Sequence, residues 1–449
     1  MFKDLFKNYK TILLLAIPSI FSFATATVTG TINLIMVGQL GAIVIAIVGV
    51  TNIIMYNGWA LFSGISHTIN YLVAQSYGAG DARKSIERTY VAIYVCIGVL
   101  IVVTLVGALG SGIILRVVLG STEMAASGEQ YVQLRFYALS LAICASVVHG
   151  FLRGVGDTRT PAVLTVIGCS VMIFFTYGLT YGHFGLPELG LQGAGIAFLI
   201  GEAVGFAGAL YVFFIRLHRR FSTRIMVKPS KAESKLILVE SGKLGVQEFA
   251  LSLSMFLFTM FVARLGTEAL AANEIALNIM SFGFMPAFAF GATATILVGQ
   301  EVGRGDPLKG RRYGTDTAIL GCILLLVIGI VEFLFALPIA KLYSNDREIY
   351  ELVARLITIS AFLQIFDGIL NFYAGGLRGI GDTGFLMKTS FVCGFLVFVP
   401  LAYVFMFVFN WGSMGAWLSL YVFLMLFAGI LTYRYYRTDW LAVRLKESH

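Results

Sequence analysis

Four residues of one apolar stretch, Ser360, Gln364, Asp367 and Asn371, step by four, three and four positions. On a helix they form a single polar face. A carboxyl on such a face inside a membrane span costs about 2.5–3.5 kcal/mol on insertion scales, so it is a functional candidate by default. The chemistry open to it is binding a proton or a small cation; the plainer role is accepting hydrogen bonds from Asn or Gln neighbours. Glu248, Ser252 and Thr259 make a similar face on another run, and Glu274 with Asn278 begins a third. Together these three runs can enclose a cation-binding chamber, with Asp367, Glu248 and Glu274 as its acids. Glu202 and Glu332 stand alone, which suits helix packing or a local Arg or Lys partner. The first half of the chain offers Ser22, Thr25, Thr29 and Asn33 on one face, with Met36 just beyond and no acid on the stripe. Tyr56, Asn57, Trp59 and Asn70 can add polar and aromatic wall. These residues and Ser252, Gln364 and Asn371 are the candidate lining of a substrate cavity; for the aromatics, packing is the competing role.

The elements that carry these residues follow from composition. With 58% hydrophobic residues, 12% charged and a mean hydropathy of +0.86, the chain has too little polar surface for a soluble globule of 449 residues. Apolar runs long enough to cross about 30 Å of hydrocarbon as helices recur along it. Twelve are predicted, at 11–36, 43–75, 88–115, 129–151, 160–183, 190–216, 237–262, 268–300, 312–342, 350–377, 386–409 and 412–436. The predicted fold class is all-α, a polytopic membrane protein. The first run follows Lys3, Lys7 and Lys10, and Ala24-Thr25-Ala26 resembles a signal-peptidase site. Cleavage there would leave one half with five spans and the other with six. Pro18 within this run permits a bend. Cys96, Cys144, Cys169, Cys322 and Cys393 fall inside spans without paired spacing, so neither a disulfide framework nor a metal motif is expected.

The chain states one structural unit twice. Leu152-Arg153-Gly154-Val155-Gly156-Asp157-Thr158 returns 225 positions later as Leu377-Arg378-Gly379-Ile380-Gly381-Asp382-Thr383. The same shift lays Val37–Asp81 over Val262–Asp306 without a gap, with about 14 of 45 positions identical, Gln75/Gln300 and Gly78/Gly303 among them. Six spans per copy give both copies one orientation, so they are expected to be related by an axis along the membrane normal, the parallel-repeat plan of many transporters. The expected domains are a six-helix lobe over 1–217, a cytoplasmic linker over 218–235, and a second lobe with a short tail over 236–449. The repeated phrase reads mainly as a turn: two glycines stop a helix, Asp157 or Asp382 caps the next, and Arg153 or Arg378 is near enough for a local pair. A share in an inner gate is its sharper reading.

The net charge of +8 is distributed as an address rather than as a nucleic-acid surface. Placing the N-terminus inside puts about 24 Lys and Arg on the cytoplasmic side and about four (Arg116, Arg264, Lys341, Arg347) on the other, as the positive-inside rule requires. A multi-pass protein of a prokaryotic cytoplasmic membrane, with both termini inside, is expected.

Val37-Gly38-Gln39-Leu40-Gly41, Gln75 with Gly78-x-Gly80-Asp81, the two Leu-Arg-Gly-x-Gly-Asp-Thr phrases and Ala271-Ala272-Asn273-Glu274-Ile275-Ala276-Leu277 resemble the multidrug and toxic compound extrusion family. Within it, the prokaryotic DNA-damage-inducible branch is more similar than the sodium-coupled type. The resemblance implies antiport of H⁺, or less readily Na⁺, against an amphipathic, often cationic small molecule, by a monomer needing no cofactor beyond the coupling ion. It implies that Asp367 serves the cation. Glu248 lies about one turn before the acid expected in the seventh span, and Asn33 stands where an acid is expected in the first. Met172 and Thr176 replace the expected Asn and Asp of the fifth. Asn is isosteric with protonated Asp but releases no proton, so the N-terminal half is expected to be uncoupled at this position, to leave coupling to the other half, or to mimic a protonated state. The alternatives are a lipid-linked oligosaccharide flippase, against which the stripes are poor in Arg and Lys, and an intramembrane lipid-modifying enzyme, for which no paired acidic motif or nucleophile–base set is visible.

Overall fold

A backbone in hydrocarbon must satisfy its own hydrogen bonds, and helices do so within each segment. The computed structural model describes residues 2–119 and 122–447, and 88% of it is helical with no strand among the described residues. Twelve helices in it are long and apolar enough to cross a membrane. They are α1 (Phe2–Gly38), α2 (Ala42–Gly78), α3 (Ala82–Leu119), α4 (Thr122–Gly154), α5 (Arg159–Tyr181), α6 (Gly190–Tyr211), α7 (Lys231–Ala263), α8 (Thr267–Gly303), α9 (Pro307–Leu334), α10 (Arg347–Gly379), α11 (Thr383–Val408) and α12 (Gly412–Arg437).

All twelve predicted spans are present, with shifted ends. The ninth stops at Leu334 rather than 342, and a separate short helix occupies Ala336–Tyr343. Pro338 explains the stop, since it has no N–H and its ring crowds the carbonyl four residues back, that of Leu334. Helix α11 widens into π turns at Val392–Phe398 and Val404–Val408, on either side of Pro400. Helix α1 runs unbroken through Pro18.

The duplication persists in the backbone. Three turn glycines and their copies take left-handed conformations: Gly41 and Gly266 (φ 126° and 118°), Gly80 and Gly305 (79° and 81°), Gly156 and Gly381 (90° and 83°). Only glycine adopts these without strain.

Contacts divide the chain into two compact units. One comprises Met1–Ile20, Ala74–Gly80 and Val246–Lys446; the other holds Phe21–Val73 and Asp81–Gly245. The units follow the two sequence copies over most of their length and exchange the start of α1, the end of α2 and the first half of α7. Interactions inside each unit explain the exchange. In the second, Tyr71 Oη donates to Glu240 Oε2 at 2.7 Å, Lys243 Nζ donates to Glu240 Oε1 at 2.8 Å, and Arg88 pairs with Glu233 at 3.3 Å, fixing the start of α7 to α2 and α3. In the first, Gln75 Nε2 donates to the Gly379 carbonyl at 2.8 Å while its Oε1 accepts from the Lys446 amide at 2.9 Å. The expected linker is fastened too, since Tyr90 and Tyr94 donate their hydroxyls to the Thr223 and Val227 carbonyls.

Candidate functional site

Helix α10 presents Ser360, Gln364 and Asp367 on one buried face, with Asn371 half-buried a turn further on. Asp367 is 6% exposed, and its Oδ2 is enclosed without a hydrogen-bond partner among the described residues. Asn371 Nδ2 donates to the Asp367 backbone carbonyl at 2.8 Å, leaving the carboxyl itself unbonded by Asn. Gln364 Nε2 donates to Glu332 Oε2 on α9 at 3.1 Å and also to the Ala361 carbonyl. Glu332 was expected to stand alone or take an Arg or Lys; its partner is the amide of the stripe. Gly283 of α8 makes this possible, because any side chain there would run into Gln364.

The other two acids do not join Asp367. Glu248 pairs with Arg378 Nη2 at 3.3 Å, and Glu274 is exposed on α8, where Asn278 accepts from Tyr343 Oη at 3.1 Å. Ser252 is buried on α7. No group of three or more His, Cys, Asp or Glu side chains gathers among the described residues.

In the other unit, the polar stripe of α1 packs along α5. Ser22 Oγ donates to Thr165 Oγ1 at 3.1 Å and Tyr181 Oη donates to the Met36 carbonyl, while Thr29 Oγ1 donates to the Thr25 carbonyl of its own helix at 2.8 Å. Thr25 is half-buried and bonds its own helix at Phe21. Asn33, 2% exposed, has neither amide atom hydrogen-bonded among the described residues. Asn57 donates to the Ile53 carbonyl of its own helix at 3.0 Å, while Tyr56 is 56% exposed.

Tyr56 and Trp59 belong to a cleft of about 280 Å³ between α2, α4 and α6, shared with Asn52, Arg135, Phe198 and Glu202. Arg135 is absent from the sequence-based candidates, which are intramembrane carboxylates and their polar neighbours and include no cation. The rule that flags an ionisable residue within an apolar run picks out Arg135 as readily as Glu202.

The repeated phrase forms the same turn twice, the amides of Asp157 and Asp382 donating to the Leu152 and Leu377 carbonyls at 2.8 and 3.0 Å. Its side chains diverge. Asp157 caps α5 through the Thr160 amide (3.0 Å), but Asp382 caps nothing and accepts from Arg434 Nε at 2.8 Å. The expected local pair is replaced in both copies: Arg378 reaches Glu248, and Arg153 lies over the Phe23 ring at 5.5 Å.

Comparison with known proteins follows the duplication. The MatE family model matches twice, over residues 18–178 and 244–404. The chain is 27% identical over 428 residues to the probable multidrug resistance protein NorM of Thermotoga maritima, covering 93% of this chain and 92% of that protein. It is 28% identical over 412 residues to NorM of Burkholderia vietnamiensis, covering 90% and 88%. Among solved structures, an outward-facing MATE transporter of the MOP superfamily superposes with a TM-score of 0.88 at 19% identity, over 96% of both chains. A point mutant of the Vibrio cholerae MATE transporter VcmN gives 0.87 at 18% identity, over 98% and 99%. The protein is a multi-pass transporter and not an enzyme. With both sequence copies matched and more than half of its residues covered, the chain belongs to the MatE family.

Proposed function

We propose that this chain exports amphipathic, cationic small molecules across a prokaryotic cytoplasmic membrane by alternating access, driven by inward movement of H⁺ rather than Na⁺. Asp367 carries the reading: a buried carboxyl with an enclosed, unbonded oxygen and no cationic partner among the described residues. An arriving cation is then what balances its charge. A proton needs one oxygen, whereas a bare metal cation needs several; the stripe adds one further enclosed, unbonded oxygen, Gln364 Oε1, while Gln364 Nε2 is spent on Glu332, and no group of three or more His, Cys, Asp or Glu side chains gathers among the described residues. The names of the NorM relatives support multidrug export as the cargo class, and the basic loops support cytoplasmic termini. The protein acts as a monomer, with the coupling ion as its one obligatory partner besides substrate and bilayer.

Coupling requires that the cation favour one access state over the other, since equal binding shifts nothing. A membrane potential then supplies about 2.3 kcal/mol per charge per 100 mV. The test is Asp367→Asn in proteoliposomes with a fluorescent cation, under separately imposed pH and Na⁺ gradients. Gradient-driven efflux is expected to vanish while the variant inserts and folds normally. Undiminished efflux would remove Asp367 from the mechanism, and efflux that responds only to the Na⁺ gradient would replace the proton.

A further inference from the structure

We propose that the cleft between α2, α4 and α6 binds an amphipathic zwitterion, a molecule that joins an ammonium and a carboxylate or phosphate to an apolar body. Arg135 is 9% exposed and is held from three sides. Its Nη1 donates to Asn52 Oδ1 at 3.0 Å and to Tyr131 Oη at 2.7 Å, and its guanidinium stacks on Phe198 at 3.9 Å. Those bonds use one nitrogen. The Nε and Nη2 donors have no partner among the described residues, and together they form the edge that matches the two oxygens of a carboxylate or phosphate.

Glu202 supplies the opposite charge. It lines the same cleft as Arg135, yet the two form no ion pair and Glu202 accepts no hydrogen bond among the described residues. A site with one sign of charge selects ions of the other sign. This site holds one of each, unjoined and walled by Tyr56, Trp59 and Phe198. A ligand that satisfies both has its anionic group on Arg135, its ammonium on Glu202 and its apolar body against the rings, where a neighbouring cation also gains from the aromatic faces. The stacked and hydrogen-bonded guanidinium is fixed in advance, so little side-chain ordering opposes binding.

The proposal rests on the export reading only for the transport steps after binding, and binding is measured by itself. The chemistry has two sources, an amphipathic α-amino acid or the ethanolamine headgroup of a phospholipid. The full chain is placed in nanodiscs of phosphatidylglycerol, which has no ammonium, and titrated with tritiated tryptophan, its methyl ester (cation) and its N-acetyl derivative (anion). Dihexanoyl phosphatidylethanolamine is then added as competitor. Tryptophan is expected to bind at least tenfold tighter than either derivative. Arg135→Gln should erase the preference over the ester, and Glu202→Gln the preference over the N-acetyl form. Trp59→Ala should weaken all three alike. Displacement of tryptophan by the short-chain lipid, or protection by that lipid alone, assigns the site to a headgroup. Equal binding of the three compounds with no effect of lipid overturns the proposal, as do selectivities that survive both charge-removing variants. If Arg135→Gln fails to fold, Glu202→Gln decides alone, through its loss of selectivity against N-acetyltryptophan. Lost binding with intact efflux removes the cleft and leaves Asp367 standing; lost efflux in Asp367→Asn with intact zwitterion binding does the reverse.

Discussion

Gln364 and Glu332 show how a stripe residue can do structural work beside the one proposed to bind the cation. The buried Glu332 carboxyl accepts from Gln364 Nε2 at 3.1 Å, so Gln364→Leu strands a buried acceptor, a loss of about 1–3 kcal/mol. That variant should unfold at a clearly lower temperature in a thermal melt. Glu332→Gln keeps an oxygen for the same bond and should melt near the parent. It should also retain gradient-driven efflux, because Asp367 alone is proposed to carry the cation; loss of coupling in Glu332→Gln would make the two acids a unit. Asn33 poses the complementary question in the other unit. Both its amide atoms are buried and unbonded among the described residues, so Asn33→Asp puts an ionisable group of nearly the same shape where no bond has to be broken. Efflux measured across external pH should then become steeper than in the parent, and an unchanged profile would discard the idea that Asn33 occupies a neutralised proton site.

At the scale of elements, small residues set how closely the helices approach. Gly150 faces the Ser66 carbonyl, where a Cβ would come within 2.7 Å, and its copy Gly375 faces the carbonyl of Gly291, the copy of Ser66. Gly375→Ala must push α8 from α10, which overpacking data put at about 1–3 kcal/mol. Gly384→Ala, in open space, should leave the melting temperature unchanged and serves as its control. These elements were legible from sequence because apolar length and glycine spacing are local quantities, and the 225-residue shift fixed which contacts recur. The partners of polar side chains were not, because they depend on which helices meet. Arg378 lies four residues from Asp382, and spacing alone favours that pair. The turn instead sends Arg378 to Glu248 on α7 and leaves Asp382 to Arg434. Likewise, the Asp367 stripe was readable as a face, but nothing in its period tells that Gln364 would be claimed by Glu332. For Arg135 the charge within an apolar run was visible in the sequence, and what was hidden were its partners, Phe198 and Asn52 on two other helices.

Across the whole molecule, the duplication makes one contact pair with its own copy. Within the first unit, Gly78 lies against the Gln300 backbone, and Gly303 lies against the Gln75 backbone; Gln75 and Gln300, like Gly78 and Gly303, are 225 positions apart. The ends of α2 and α8 thus meet through a reciprocal pair of glycine contacts, and the C-terminal segment adds the Lys446 amide on Gln75. If transport proceeds by alternating access, this approach must be released in one state, and a side chain at either glycine should favour release. A wedge of about 1–3 kcal/mol corresponds to a 5- to 150-fold change in the state equilibrium. We therefore expect Gly78→Val and Gly303→Val each to raise the labelling rate of a cysteine placed at Ala79, measured in inside-out vesicles with an impermeant maleimide after the five native cysteines are replaced. Because the two contacts are copies, the two rates should rise by similar factors. A rise in one variant alone would mean that the ends of α2 and α8 are held by unequal interactions, and that the symmetry of the sequence does not extend to the energetics of closure.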